Sequence, residues 1–137
     1  MSEYKRPQPV LNEYTEPFWK ATKEHRLVAQ KCKDCGHIWH PPSPVCDQCL
    51  SFNYEWINLS GKGKVWSYVV YHRPFTYQTF KDAIPYNVAY VKLDEGLGFT
   101  TNLVGIANED IKIGMRVEVS FEDCTEELTL PKFRPVK

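Results

Sequence analysis

The chain has 137 residues, of which 42% are hydrophobic, 14% aromatic and 25% charged, a balance that suits a folding, soluble globular protein and excludes a disordered or collagen-like one. That length fits one ordinary domain, or a compact domain with a small appendage that needs a staple of its own. Seventeen basic and seventeen acidic residues cancel, which excludes a whole-molecule field that would draw in a polyanion or an anionic membrane and leaves such binding to local patches.

The opening "MSEYKRPQPVLNEY" has no apolar signal core and no cleavage signal, and no uncharged apolar run approaches the roughly 20 residues of a membrane span. A cytoplasmic location without membrane contact is expected. Residues 1–12, with Pro7 and Pro9 among polar neighbours, read as an extended arm. "TEPFWKATKEHRL" then predicts a helix, with Thr15 as N-cap, Glu16 and Pro17 in the first turn and basic residues toward its end. Phe18 and Trp19, with Ala21 and Leu27, give it an unusually aromatic side, which either packs on its own domain or meets a partner.

"QKCKDCGHIWHPPSPVCDQCL", residues 30–50, places Cys32, Cys35, Cys46 and Cys49 in two Cys-x-x-Cys pairs. In a reducing compartment such pairs are metal ligands rather than disulfides. Each pair puts two thiolates on one turn, and two facing turns supply four sulfurs about 2.3 Å from a zinc ion, so the spacing reads as a zinc ribbon. Gly36 permits the sharp turn after the first pair, and "PPSP" stiffens the connecting loop. A redox dithiol and a rubredoxin-like iron site are the alternatives. Four thiolates close the coordination sphere, so the metal is expected to be structural, with His37 and His40 as surface or packing residues.

Beyond "NLSGKGKV", where Gly61 and Gly63 mark a turn or bulge, the chain becomes a series of strand-like runs. "KVWSYVVYHR" (64–73), "YNVAYVKLDEG" (86–96) and, after a glycine reversal, "FTTNLVG" are the first three. "ANEDIKIGM" predicts one helical turn capped by Asn108 and left at Gly114. "RVEVSFED" alternates Val117, Val119 and Phe121 against Arg116, Glu118, Ser120 and Glu122, and "LTLPKFRPV" reads as an edge strand because Pro131 and Pro135 cannot donate to a central ladder. Five strands with a helical turn between the third and fourth point to a five-stranded OB-fold barrel. The fold class is therefore mainly β: an N-terminal arm and helix (1–28), a rubredoxin-like zinc ribbon (29–58) and an OB-fold domain (59–137).

Cys124, with Glu122, Asp123, Glu126 and Glu127 around it, lacks the cationic setting of a reactive thiol and reads as an inert strand residue. No Ser-His-Asp set, phosphate loop or His-Glu-x-x-His helix occurs, so no self-sufficient active site is expected. The connection "YHRPFTYQTFKDAIPYNV" is too long for a hairpin and too aromatic for water, and predicts a lid on the barrel or a contact surface. A single-stranded nucleic-acid module is the rival class; its aromatics are present, but Asp94, Glu95, Glu109, Asp110, Glu118, Glu122, Asp123, Glu126 and Glu127 make much of the barrel acidic and disfavour it.

The order of parts resembles the DUF35 family, in which a helix and a rubredoxin-like zinc ribbon precede an OB-fold. The resemblance rests on "FWKATKEHRLVAQKCKDCGHIWHPPSPVCDQC", "SGKGKVWSYVVYHRPF", "IPYNVAYVKLDEG" and "NLVGIANEDIKIGMRVEV", spanning about residues 15–122. It implies a noncatalytic accessory subunit of a thiolase-superfamily enzyme acting on acyl-CoA: a thiolase, a thiolase linked to HMG-CoA synthase, a benzoylsuccinyl-CoA thiolase, a carbon acyltransferase or a steroid side-chain aldolase. The partner would supply the nucleophilic cysteine and oxyanion hole, and this chain would dock on it in a hetero-oligomer and shape the acyl-CoA channel. The resemblance carries Cys32, Cys35, Cys46 and Cys49 over as ligands of one zinc. Arg73, His72 and Lys81 are the expected CoA contacts, with acyl-CoA as the shared ligand, and Phe18, Trp19, Phe75, Tyr77 and Phe80 the expected partner contacts. "TYQTFKDA" has no counterpart of defined role in the family.

Overall fold

A computed structural model describes residues 8–73 and 82–136. One helix, α1 (Glu16–Lys23), precedes eight strands: β1 (Val28–Cys32), β2 (Ile38–Trp39), β3 (Tyr54–Asn58), β4 (Lys62–Tyr71), β5 (Tyr86–Leu93), β6 (Gly98–Thr101), β7 (Arg116–Asp123) and β8 (Thr129–Pro135). The expected fold class stands, as a mainly β chain with one N-terminal helix, a small ribbon and a curled five-stranded sheet. No helix among the described residues is long and apolar enough to cross a membrane.

The helix is shorter than its composition suggests at one end and differently capped at the other. Thr15 makes no side-chain cap bond. The turn before the helix is instead closed by Asn12, whose Oδ1 accepts the N–H groups of Tyr14 and Thr15 at 2.8 and 3.0 Å, while the Thr15 hydroxyl donates to the Val10 carbonyl. At the far end His25 turns left-handed (φ 58°) and the Arg26 N–H reaches back to the Ala21 carbonyl, a helix-ending turn usually built on glycine. The His25 ring compensates by stacking on Phe121 and bonding the Asp123 carboxylate at 3.0 Å.

The ribbon is a three-stranded sheet of order β2-β1-β3 and the barrel a five-stranded sheet of order β6-β5-β4-β7-β8. Its ends meet through a parallel bridge between Leu103 and Phe133, with the Val104 N–H on the Phe133 carbonyl at 2.8 Å. Gly63 is required where β4 crosses β5, because a Cβ there would strike the Lys92 carbonyl. The predicted helical turn is a short 3-10 turn, Asn108–Asp110, which Gly114 (φ 88°) follows. Asn108 works as a bridge rather than a cap: its side chain bonds Asn87 Nδ2 and donates to the Pro85 carbonyl.

One core joins the parts. Phe18 and Ala21 of α1 and Val28 and Ala29 of β1 are buried together with Val65, Val91, Phe99, Val117 and Phe133 of the barrel. Helix and first ribbon strand thus complete the barrel's apolar interior. Burial at roughly 25 cal/mol per Å² of apolar surface is the main force holding them there.

Candidate metal centre and its surroundings

The two cysteine pairs occupy matching turns. Cys32 ends β1, and Gly36 (φ 81°) closes its turn by donating to the Cys32 carbonyl at 3.0 Å; Leu50 (φ 64°) closes the second by donating to the Cys46 carbonyl at 3.0 Å. In each turn a backbone N–H also points at the leading sulfur, Cys35 N–H to Cys32 Sγ and Gln48 N–H to Cys46 Sγ, both at 3.4 Å. The first of these bonds favours thiolate over thiol at Cys32.

The four sulfurs lie within 4.8 Å of one another, with Cys32–Cys49 at 3.5 Å and Cys35–Cys46 at 3.6 Å. A tetrahedron of 2.3 Å zinc–sulfur bonds has edges of about 3.8 Å, so the set fits a tetrathiolate zinc with little adjustment. The electrostatics agree. The Cys35 N–H draws the Cys32 thiol down to about 7 against the opposing effect of burial. Cys49 rises to about 12: although the Ser51 backbone N–H lowers it, hydrogen bonding with the sulfurs of Cys32 and Cys35 outweighs that. One thiolate resists the next, a conflict that a dication at the centre of the four removes. The cysteines are positioned for metal, and with four sulfurs used the site is closed to substrate.

The nearby histidines are packing residues, as expected. His37 stacks on Trp39 and bonds Asp47 at 2.7 Å. His40 packs on the barrel and the helix, 3.9 Å from the Phe99 ring centroid and 5.0 Å from that of Phe18. Burial pushes its pKa down to about 4, and its Nδ1 has no hydrogen-bond partner among the described residues. Buried Gln30 anchors the stiff loop to β1 from below: its amide donates to the Ser43 carbonyl at 2.7 Å and accepts the Ser43 N–H at 2.9 Å.

Where α1, the loop after His40 and the barrel edge meet, a cleft of about 370 Å³ opens, lined by Val10, Trp19, His40, Phe99, Pro131 and Lys132 among others. Trp19 is half-buried on its wall, whereas Phe18, expected to face a partner, is only 3% exposed. That residue is spent on this chain's own core. Lys132 is held by Asn102 Oδ1 at 2.6 Å and Glu122 at 3.5 Å. His72 and Arg73 are exposed just past the end of β4, beside the stacked pair Tyr71–Tyr86. Phe75, Tyr77, Phe80 and Lys81 fall outside the described residues. Cys124 lies just beyond β7 rather than in it, half-buried, its thiol 3.6 Å from the Glu122 carbonyl.

A second cleft, of about 310 Å³, lies on the outer face of β4, β5 and β7 and is lined by Lys64, Trp66, Lys92, Asp94, Gly96 and Arg116. Sequence reasoning missed it. Lys64, Trp66, Lys92 and Arg116 are exposed strand residues that only strand register brings together, and Asp94 and Gly96 join them from the turn after β5.

Family models match residues 19–122 between them: "ChsH2, rubredoxin-like zinc ribbon domain" over residues 19–55 and "ChsH2, C-terminal OB-fold domain" over residues 56–122. A "DUF35 domain-containing scaffold protein" of Methanocaldococcus jannaschii is 37% identical over 111 residues, 80% of this chain and 77% of that one. A "Probable enoyl-CoA hydratase alpha subunit" of Thermomonospora curvata is 44% identical over 130 residues, 95% of this chain but 40% of the relative, so the chain spans about two-fifths of that protein's length. Among solved structures, a chain of the "Ltp2-ChsH2(DUF35) aldolase" superposes with a TM-score of 0.83 at 43% identity, covering 93% of this chain and 98% of that one.

Proposed function

This chain belongs to the DUF35 family, and from that membership we propose that it is a noncatalytic, zinc-bearing subunit of an enzyme acting on acyl-CoA, docked on a separate catalytic chain in a hetero-oligomer. The observation that carries the reading is the closed cysteine set. All four sulfurs converge on one point, so the reactive-looking part of the chain leaves no position for substrate. Catalysis then has to come from a partner, as the names of the similar hydratase subunit and aldolase complex suggest.

In this reading the metal supplies cross-linking and no chemistry. Cys32, Cys35, Cys46 and Cys49 would hold it, while His40 and Phe18 fix the ribbon against the barrel. The finer proposal is a thiolase-superfamily partner that forms or breaks a carbon–carbon bond, with this chain shaping the acyl-CoA channel. The likeness to a chain from an aldolase favours it over a hydratase, because the match covers 98% of that chain and only 40% of the hydratase subunit.

Affinity purification from the native host, followed by mass spectrometry, tests the proposal. A thiolase-type chain is expected in constant ratio, together with acyl-CoA carbon–carbon lyase or transferase activity that is lost on removing this subunit. Recovery of a hydratase-type chain alone would overturn the finer proposal. A monomer that captures no such partner, with or without acyl-CoA, would overturn both.

A further inference from the structure

The outer face of the barrel carries one charge repeated across three adjacent strands. Lys64 of β4 stands directly opposite Lys92 of β5 on one side and opposite Arg116 of β7 on the other. Like charges in directly paired positions destabilise a sheet. Asp94 relieves only one of the three, holding Arg116 through both carboxylate oxygens at 2.9 and 3.1 Å. Lys64 and Lys92 form no ion pair among the described residues. Both instead approach the Trp66 indole, whose ring centroid lies 5.9 and 4.7 Å from the two ammonium nitrogens.

Trp66 is presented by a backbone irregularity. Val65 pairs with Val91 and Ser67 with Tyr90, so Trp66 is the extra residue of a bulge and has no partner on β5. Bulges re-aim a side chain, and here the indole is 53% exposed at the wall of the 310 Å³ cleft. Tyr90, 42% exposed, continues the same face, its ring lying over Gly98 where any side chain would collide. An exposed flat ring, two lysines that form no ion pair among the described residues, and a guanidinium fixed by Asp94 share one small concavity. That set suits a ligand with a flat heteroaromatic ring and a multiply charged phosphate.

We propose that this cleft binds the phosphorylated adenosine end of an acyl-CoA, with the base stacked on Trp66 and the 3′-phosphate held by Lys64, Lys92 and Arg116. The proposal rests on the acyl-CoA reading above, and moves the expected phosphate contact from His72, Arg73 and Lys81 to the sheet face. On binding, the phosphate draws the ammonium groups off the indole and the base takes their place. Repulsion along the row is relieved by the ligand's charge.

Isothermal titration of the purified full chain at low salt tests this, with adenosine 3′,5′-bisphosphate, ADP, adenosine, inorganic phosphate and a short single-stranded oligonucleotide as probes. Adenosine 3′,5′-bisphosphate is expected to bind about tenfold or more tightly than ADP, adenosine or phosphate alone, and to weaken with added salt. Lys64→Gln and Lys92→Gln should each reduce that affinity several-fold while leaving the thermal midpoint unchanged or higher. Trp66→Ala should lower affinity for the bisphosphate without changing any response to phosphate. No binding at low salt, equal affinity for ADP, or binding untouched by all three substitutions would overturn the proposal. So would tighter binding of the oligonucleotide, in favour of the nucleic-acid class. Because the isolated chain is titrated, failure here leaves partner capture unaffected, and failure of capture leaves this binding measurable.

Discussion

At the scale of single residues, His40 carries the clearest physical consequence. Its imidazole is stacked on Phe99, packed at a tilt against Phe18 and kept neutral by burial, with a pKa of about 4 against an ordinary 6.5. The sign follows from proton counting: between those values the unfolded chain binds the proton and the folded chain does not. The contribution is therefore complete above about pH 6.5 and lost as pH falls toward 4, in total by roughly 3 kcal/mol. Denaturant unfolding at a series of pH values should show that loss in the native chain, and His40→Phe should flatten the part of the curve that metal release does not explain. Asn87 offers a second case. It is 6% exposed, accepts the Leu103 N–H at 2.6 Å and donates to the Leu103 carbonyl at 3.0 Å. Asn87→Ala would strand both backbone groups in the interior and should cost about 2 kcal/mol in equilibrium unfolding. Neither residue announces itself in sequence: a histidine beside prolines and an asparagine in a strand look alike whether they face water or core.

At the scale of elements, the metal turns and the barrel strands were legible because their signals are local. Cysteine spacing encodes a ligand set within one short segment, and the alternation in "RVEVSFED" tracks a strand that runs Arg116–Asp123. The helix end escaped because its reversal falls on His25 rather than a glycine. The row Lys92–Lys64–Arg116 and the bulge at Trp66 escaped because they depend on register, which alternation alone does not set. The ribbon yields the element-scale prediction. Its own small core is Cys32, Trp39 and Cys46, with Tyr54 packed against them, too little to fold on apolar burial alone, so metal binding supplies folding energy there. Cys35→Ser should reduce zinc content below one per chain by elemental analysis and lower stability by several kcal/mol. A chelator should lower the thermal midpoint of the native chain, and an unchanged midpoint would contradict a structural metal.

At the scale of the whole molecule, the shared core predicts cooperativity. Phe18, Ala21, Val28 and Ala29 are buried with the barrel residues in one cluster, so helix, ribbon and barrel should melt in a single calorimetric transition that chelation shifts as a unit. Two separated transitions would show that the metal turns stand apart from the barrel. The connection between the modules gives this unity a mechanical meaning. Only residues 59–61 separate β3 from β4, and each is tied down: the Leu59 N–H to the Leu27 carbonyl at 2.8 Å, the Ser60 N–H to the Glu95 carboxylate at 2.7 Å, and the Gly61 carbonyl to the Val119 N–H at 2.7 Å. A hinge needs a few residues free to change their backbone angles, and these three are committed. The chain is therefore a stiff bracket: a load applied to the ribbon is carried to the barrel without play, and gripping one end sets the orientation of the other.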